Sequence, residues 1–198
     1  HLYDAMFMSP HKLLGGPASC GLLIIRKSLV DTTIPPSFSG GGTVLYVNKT
    51  SQTYQKDIEA REEAGTPPIL QFIRASLAYQ LRNEIGFEFI KKQKDELKEY
   101  FISELKKIPN CEIYGNQEAS NIGIVSFNIK GLSPYDLCNR LSLEDNFQTR
   151  AGCSCAGPYG HDLLGIEKLD MNNRPGWVRI SIHFSQTKEE IKNLIDGI

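Results

Sequence analysis

Three spacings of apolar side chains occur along this 198-residue chain, and each predicts a different kind of element. Residues 2–8 and 21–26 are short apolar runs, which predict two strands, the second buried on both faces. Residues 69–81 and 90–108 carry an apolar side chain every three or four positions, which predicts two amphipathic helices. Gly86 is expected to separate these helices, because glycine interrupts a helical pattern.

From Cys111 onwards the pattern becomes that of an α+β domain. Residues 121–129 and 177–184 alternate between apolar and polar positions, which predicts strands with one buried face. Ser133 is expected to cap a helix that begins at the following proline. Thr187 and Glu190 have the spacing of a capping box, which predicts the start of the last helix.

The order of these elements predicts the fold class, α/β changing to α+β. Residues 31–43 are rich in Pro, Ser, Gly and Thr and end in three glycines, so we expect a loop whose backbone can approach a ligand. The predicted organisation is an α/β segment over residues 1–68, a helical connector over 69–110 and a small α+β domain over 111–198.

The composition is that of a soluble globular protein, with 40% hydrophobic and 23% charged residues. A net charge of −1 argues against a nucleic-acid-binding or membrane-surface protein, which would need a basic face. No apolar run approaches the ~20 residues of a membrane helix. The chain begins at His1 without a methionine, so we expect it to be part of a longer protein.

The five cysteines are odd in number and irregularly spaced. This usage favours a reducing compartment, cytoplasmic or organellar, over a disulfide scaffold.

A lysine follows the first predicted strand. Residues 5–8 pass into Ser9-Pro10-His11-Lys12, and a glycine pair, Gly15-Gly16, comes next. The end of a strand is where α/β proteins place reactive groups, and a lysine there can form a Schiff base with a carbonyl compound. A solvated surface lysine is the alternative interpretation.

Two cysteines lie in a segment that we predict to be a tight loop, Arg150 to Pro158. A positive charge beside a thiol favours the thiolate, so Arg150 makes a reactive cysteine plausible here. Two alternatives stay open. Cys153 and Cys155 with His161 would be half of a zinc site, or both cysteines would be small buried side chains.

Two further positions suit anion binding. Gly65-Thr66 precedes a predicted helix start, where free backbone N–H groups and a hydroxyl favour a phosphate. Arg179 lies on the polar face of the last predicted strand, where its planar guanidinium could hold a carboxylate. A helix-start turn and an exposed cross-strand arginine are the alternatives.

Together these segments resemble the C-terminal half of the class V aminotransferase family, especially its cysteine desulfurases and selenocysteine lyases. Order and spacing agree from one end of the chain to the other. The matching segments are Ser9-Pro10-His11-Lys12, Gly15-Gly16-Pro17, Gly40-Gly41-Gly42, Glu63-Ala64-Gly65-Thr66-Pro67, Arg150-Ala151-Gly152, Cys155-Ala156-Gly157-Pro158 and Arg179.

The resemblance implies a fold-type I enzyme that depends on pyridoxal 5'-phosphate (PLP). Residues 1–68 would be the end of its PLP-binding large domain. Lys12 would carry PLP as a Schiff base and act as a base, and Ser9 and His11 would bind the cofactor phosphate. Gly65 and Thr66 would reach the phosphate of the other subunit of a homodimer.

The resemblance also implies the reaction. Arg179, with Arg150, would bind the substrate, L-cysteine or a similar amino acid. Cys155 would take the sulfur of the substrate as a persulfide, and the rest of the substrate would leave as alanine. The persulfide sulfur would then pass to an acceptor protein. No metal is implied.

Some residues depart from the family pattern. Cys153-Ser154 and Ser185-Gln186 replace more usual residues, so an aminotransferase or lyase with another amino-acid substrate stays open. The family's stacking histidine and pyridine-pairing aspartate precede its lysine, so we expect them on a preceding segment. The isolated chain is then expected to lack most of the PLP site, and a non-catalytic interaction or dimerisation module is the rival interpretation.

Overall fold

The computed structural model describes residues 2–168 and 174–198, which form two compact units divided between Gly86 and Phe87. We call them the first and the second unit. The strands are β1 (Ala5–Met8), β2 (Leu22–Ile25), β3 (Val44–Val47), β4 (Gln52–Tyr54), β5 (Cys111–Tyr114), β6 (Ile124–Ile129), β7 (Arg150–Gly152) and β8 (Trp177–Ser181). The helices are α1 (Ile58–Glu62), α2 (Ile69–Ile85), α3 (Phe87–Leu105), α4 (Pro134–Leu143), α5 (Gly157–Leu164) and α6 (Lys188–Gly197).

The two strands predicted near the start are present and form an antiparallel hairpin, with Ala5 opposite Ile25 and Met8 opposite Leu22. The prediction that the second strand is buried on both faces is wrong, because Leu23 and Ile24 are each 62% exposed. The physical reason is that β1 and β2 form a sheet of two strands only. A hairpin has no inner strand with covered faces.

A second hairpin, β3–β4, and the short helix α1 occupy residues for which the sequence pattern carries no prediction. The Asn48 side chain closes the hairpin turn, since its Oδ1 accepts the backbone N–H of Thr50 at 2.9 Å and of Ser51 at 2.8 Å. Asp57 caps α1 by accepting the N–H of Ala60 at 2.9 Å. Strands of three and four residues are too short to show a period, which is why polar turn chemistry defines this region.

Helix α2 confirms the predicted helix and ends at Ile85, because the next residue, Gly86, has a φ of 88° that breaks the helix. Its buried side chains are nevertheless Ala75 and Ala78, whereas Ile73 and Leu77 on the predicted apolar face are 52% and 57% exposed. The spacing therefore predicts the helix correctly, but its large apolar side chains do not form a core among the residues that the structure describes.

The second unit contains an antiparallel sheet in the order β5-β6-β8-β7. Both predicted alternating strands are present but shorter than predicted, β6 beginning at Ile124 and β8 ending at Ser181. Their alternation is confirmed, since Val125, Phe127, Val178 and Ile180 all enter the core. Helices α3, α4 and α6 cover that face, and their core residues are Leu97, Phe101, Ile102, Leu105, Leu137, Cys138, Leu141, Ile191 and Leu194. One face of the sheet therefore packs in the core, and the other face is available for polar side chains.

The predicted helix caps of the second unit are confirmed. Ser133 Oγ accepts the N–H of Asp136 at the start of α4. Thr187 and Glu190 form a reciprocal capping box at the start of α6. The expected connector region, residues 69–110, contains α2 of the first unit and α3 of the second.

The prediction of a loop from Arg150 to Pro158 is only partly right. Its first three residues are β7, which pairs with β8, and α5 begins at Gly157, so residues 153–156 alone form the turn. Alanine and glycine, two of the three residues of β7, have weak strand propensity, but the backbone hydrogen bonds that β8 offers override it. This pairing sets Arg150 on a strand rather than on a loop.

Candidate functional site

The lysine predicted to react lies in a tight turn directly after β1. Pro10–Lys12 forms one turn of 3-10 helix, in which the N–H of Leu13 donates to Pro10 O at 2.9 Å. Pro10 is buried, while Ser9, His11 and Lys12 are exposed. Ser9 occupies the N-cap position without using its hydroxyl as a cap. A hydroxyl, an imidazole and an amine are thus presented together at the end of a strand.

Gly16 fixes the shape of this turn. A Cβ at this position would lie 2.0 Å from the carbonyl oxygen of Pro10, a distance that no side chain can occupy. Arg74 on α2 donates from Nη1 to Pro17 O at 2.8 Å, which ties the glycine corner to the helix. Gly16 is therefore required by close backbone packing in the turn that carries Lys12.

The Gly65-Thr66 turn differs from its prediction in one respect. Gly65 has φ of 86°, and its N–H donates to Gly41 O at 2.8 Å. The expectation of a free N–H at Gly65 is therefore wrong, because the glycine-rich loop already accepts it. Thr66 is exposed. The contact joins the two segments expected to approach a ligand, residues 40–42 and 65–66.

Two buried polar residues hold this loop, and sequence reasoning missed both. Arg61 is 3% exposed, and its Nη2 donates to the carbonyl oxygens of Thr32 and Ile34. Thr43 is fully buried, and its Oγ1 donates to Gly40 O at 2.7 Å. Arg61 precedes two glutamates and resembles a surface residue in the sequence. Nothing in the local pattern signals that loop carbonyls surround it.

On the outer face of the second unit's sheet, four polar side chains lie in one row. Tyr114 is opposite Ser126, Ser126 is opposite Arg179, and Arg179 is opposite Arg150. Directly opposite residues share a face, and like charges so placed repel each other. Two arginines in this position favour an anion between or beside them.

The two arginines are used differently. Arg179 is half-buried, and its Nε has no hydrogen-bond partner among the described residues. A buried guanidinium N–H without a partner is costly, and a carboxylate is the anion that its geometry suits. The Nη2 of Arg150 donates to Cys155 Sγ at 2.8 Å. The structure thus brings together Arg150, Cys155 and Arg179, three of the predicted site residues.

Cys155 is exposed at a sharp turn. Ser154 and Cys155 have φ of 51° and 66°, and the N–H of Ala156 donates to Cys153 O at 2.9 Å. Helix α5 begins two residues later at Gly157. A thiol with an adjacent guanidinium donor and free access from solvent has the surroundings of a reactive cysteine.

The other cysteines have different surroundings. Burial raises the pKa of the Cys111 and Cys138 thiols, which keeps them neutral. Cys153 is half-buried, and its Sγ lies 3.9 Å from Pro175 O. All five thiols are unpaired, and within residues 2–168 and 174–198 no group of three His, Cys, Asp or Glu side chains could hold a metal ion.

The predicted site residues are divided between the units. Ser9, His11, Lys12, Gly65 and Thr66 belong to the first unit, and Arg150, Cys155 and Arg179 to the second.

In the part of the chain that the structure describes, no helix is long and apolar enough to cross a bilayer.

Comparison with known proteins adds independent information. The family described as aminotransferase class-V matches residues 2–194. A probable cysteine desulfurase from Staphylococcus aureus is 31% identical over 195 residues, which are 98% of this chain and 44% of that protein. A similar protein from Staphylococcus epidermidis is 30% identical over the same share. The chain therefore spans less than half the length of the curated relatives it matches.

Solved structures agree with this match. The apo structure of a cysteine desulfurase from Thermococcus onnurineus NA1 has a TM-score of 0.81 and 29% identity, covering 98% of this chain and 45% of that one. The cysteine desulfurase CsdA from Escherichia coli has a TM-score of 0.82 at 24% identity, with the same coverage, and so shows a shared fold.

Proposed function

Because the chain belongs to the aminotransferase class-V family, we propose that it is the lysine-bearing part of a PLP-dependent cysteine desulfurase. The reaction would remove sulfur from L-cysteine and yield alanine and a persulfide on the enzyme. The observation that carries this proposal is the 2.8 Å hydrogen bond from Arg150 to the exposed thiol of Cys155. An aminotransferase has no need of a thiol in that position.

The residues around Lys12 fit the cofactor by their chemistry. An amine can bond to the PLP aldehyde, and the Ser9 hydroxyl, unused by the helix cap, and the His11 imidazole are suitable donors to a phosphate. When bound, PLP supplies an electron sink for the carbanion that forms when the substrate loses its Cα proton. The Lys12 Nζ would take that proton and later return it to the product.

In a homodimer, Thr66 would donate its hydroxyl to the phosphate bound by the other subunit. Gly65 would act by shaping the turn, since its own N–H is bonded to Gly41. Arg61 and Thr43 would support the Gly65–Gly41 contact by fixing the loop of residues 31–43. The dimer is therefore part of the proposal.

Arg179 and Arg150, the two arginines of the polar row, would bind the substrate. Arg179 would receive the substrate carboxylate, which would pair its buried Nε. Arg150 would hold the Cys155 sulfur in position by its hydrogen bond, and that sulfur would then attack the substrate sulfur and retain it as a persulfide. The persulfide would be passed to an acceptor protein, and such sulfur chemistry requires the reducing compartment that the unpaired cysteines favour.

The decisive experiment uses the full-length protein with L-cysteine as substrate. Cys155→Ser should abolish sulfide and alanine formation, while Cys111→Ser, a half-buried thiol on β5, should leave both unchanged. Lys12→Ala should remove the visible absorbance of bound PLP. Alanine formation at the normal rate in Cys155→Ser would show that this thiol does not accept the sulfur.

Arg179→Lys separates substrate binding from chemistry. Its ammonium cannot form the two parallel hydrogen bonds of a guanidinium, so KM should rise more than kcat falls. An unchanged KM would remove Arg179 from the substrate site. Transamination of another amino acid in place of sulfide release would favour the alternative class V activity.

A further inference from the structure

The turn that carries Cys155 also carries a second thiol. Cys153 and Cys155 are the first and third residues of the turn that the Ala156 N–H closes. The positive φ values of the two central residues, 51° and 66°, are those of a type I′ turn. We propose that Cys153 is a resolving thiol, which releases the sulfur bound to Cys155 as hydrogen sulfide and leaves a Cys153–Cys155 disulfide. This inference rests on the proposed function.

The turn geometry permits such a bridge. Cα atoms two residues apart are separated by at most about 7.6 Å, twice the step of about 3.8 Å, and the left-handed Ser154 between them shortens this distance. A disulfide requires a Cα separation of roughly 4.4–6.8 Å.

The sulfur of Cys153 packs against Gly160 and is held by only one weak hydrogen bond. It lies beside Gly160 on α5, where a Cβ would come within 2.7 Å of Sγ, so the absence of a side chain there makes its space. Its hydrogen-bond partner, Pro175 O, is 3.9 Å away, at the outer limit for a thiol donor. Rotation about χ1 can bring Sγ out towards Cys155.

The step balances without an external oxidant. Cys153 gives up its thiol proton, and its sulfur attacks the Sγ of the Cys155 persulfide. The bond between that Sγ and the terminal sulfur breaks, and its electron pair leaves with the terminal sulfur as hydrosulfide. The proton from Cys153 completes hydrogen sulfide. A small thiol of the glutathione class must then supply two electrons to reduce the disulfide.

This chemistry gives the site two outcomes. An acceptor that reaches the exposed Cys155 takes the sulfur directly. Without an acceptor, Cys153 clears the persulfide and leaves Cys155 blocked as a disulfide until a thiol reduces it. A disulfide in so small a ring is expected to be easily reduced, so the block on Cys155 would be reversible.

The test follows a single turnover of the full-length protein with one equivalent of L-cysteine under anaerobic conditions, without added thiol. Intact-mass spectrometry after alkylation distinguishes a persulfide, which adds one sulfur atom, from a disulfide, which loses two hydrogens. Wild-type protein and Cys111→Ser should lose the persulfide, release sulfide and gain the disulfide. In Cys153→Ser and Cys153→Ala the persulfide should last at least tenfold longer. A persulfide equally long-lived in all four proteins would overturn the inference.

A second measurement does not depend on turnover. Equilibration of the protein in glutathione redox buffers, followed by alkylation and peptide mapping, should give a Cys153–Cys155 disulfide that Cys153→Ser lacks. A disulfide mapped in the redox buffers, with no persulfide after L-cysteine even in Cys153→Ser, would contradict the proposed function and leave the thiol pair intact. A persulfide with no disulfide in either measurement would contradict only the role of Cys153.

Discussion

The two units of this chain differ in what they bury. The second unit encloses Phe101, Leu105, Phe127 and Leu141, none of them measurably exposed. In the first unit, the buried residues include Arg61 and Thr43, whereas its large apolar side chains on β1, β2 and α2 are mostly exposed. One unit is thus held mainly by an apolar core, and the other by polar contacts that fix its loops.

The difference shows where stability and function reside. A two-stranded hairpin is marginal by itself in water, so the order of the first unit depends on contacts such as Arg61 to its loop carbonyls. Exposed apolar surface of this extent is typical of faces that contact other protein. The second unit can fix one sheet face by packing and use the other for Arg150 and Arg179.

The largest effect is expected from the core of the second unit. Leu141→Ala should lower the free energy of unfolding by about 2–5 kcal/mol, because it opens a cavity at a fully buried position. Leu143→Ala on the same helix is the matched control, at 82% exposure, and should change it by less than about 0.5 kcal/mol. Urea unfolding followed by circular dichroism measures both. Equal effects would mean that α4 does not face the core.

A smaller effect is expected from the polar centre of the first unit. Arg61→Met should cost about 1–3 kcal/mol, because it leaves the carbonyls of Thr32 and Ile34 without a donor. Arg26→Met is the control, since its ion pair with Asp4 is solvent-exposed. Amide hydrogen exchange should accelerate over residues 31–43 in the first variant only. Unchanged exchange there would show that Arg61 does not hold the loop.

The turn of Lys12 gives a comparable test within the first unit. Gly16→Ala should cost about 1–3 kcal/mol, because its Cβ would press on the Pro10 carbonyl and backbone cannot give way cheaply. Gly41→Ala, with open space around its Cβ, is the matched control. Hydrogen exchange over residues 9–16 and the unfolding midpoint report the difference. A stable Gly16→Ala protein with unchanged exchange would contradict the close packing.

The smallest effect is a pH dependence in the second unit. Burial lowers the pKa of His183 below its ordinary value, and the charge of Lys94 lowers it further. The unfolded chain therefore binds the proton near pH 6.5 while the folded chain does not, so stability falls as the pH drops below that value. His183→Gln cannot take up this proton. Its urea midpoint should change less than that of wild type between pH 7.5 and 5.5, and equal slopes would exclude His183 as the cause.

The sequence predicted the regular elements well where they have a period. The spacing predicts a strand over residues 177–184, of which 177–181 form β8, and a helix over 69–81, which α2 extends to Ile85. Residue type predicts the capping box at Thr187. Sequence also supplied each candidate residue, from Lys12 to Arg179, through chemistry and motif order. It could not show that Arg61 is buried, because its partners are carbonyls some thirty residues away.

What the sequence by itself determined is therefore the set of elements and the inventory of reactive groups, since periodicity and residue chemistry are local properties. Only the tertiary structure decided which distant groups meet and showed that Arg150 contacts Cys155. The β7–β8 register puts Arg150 opposite Arg179, and the turn after β7 puts Cys155 against Arg150. Strand pairing joins residues that lie far apart in the chain, and no local pattern encodes that choice.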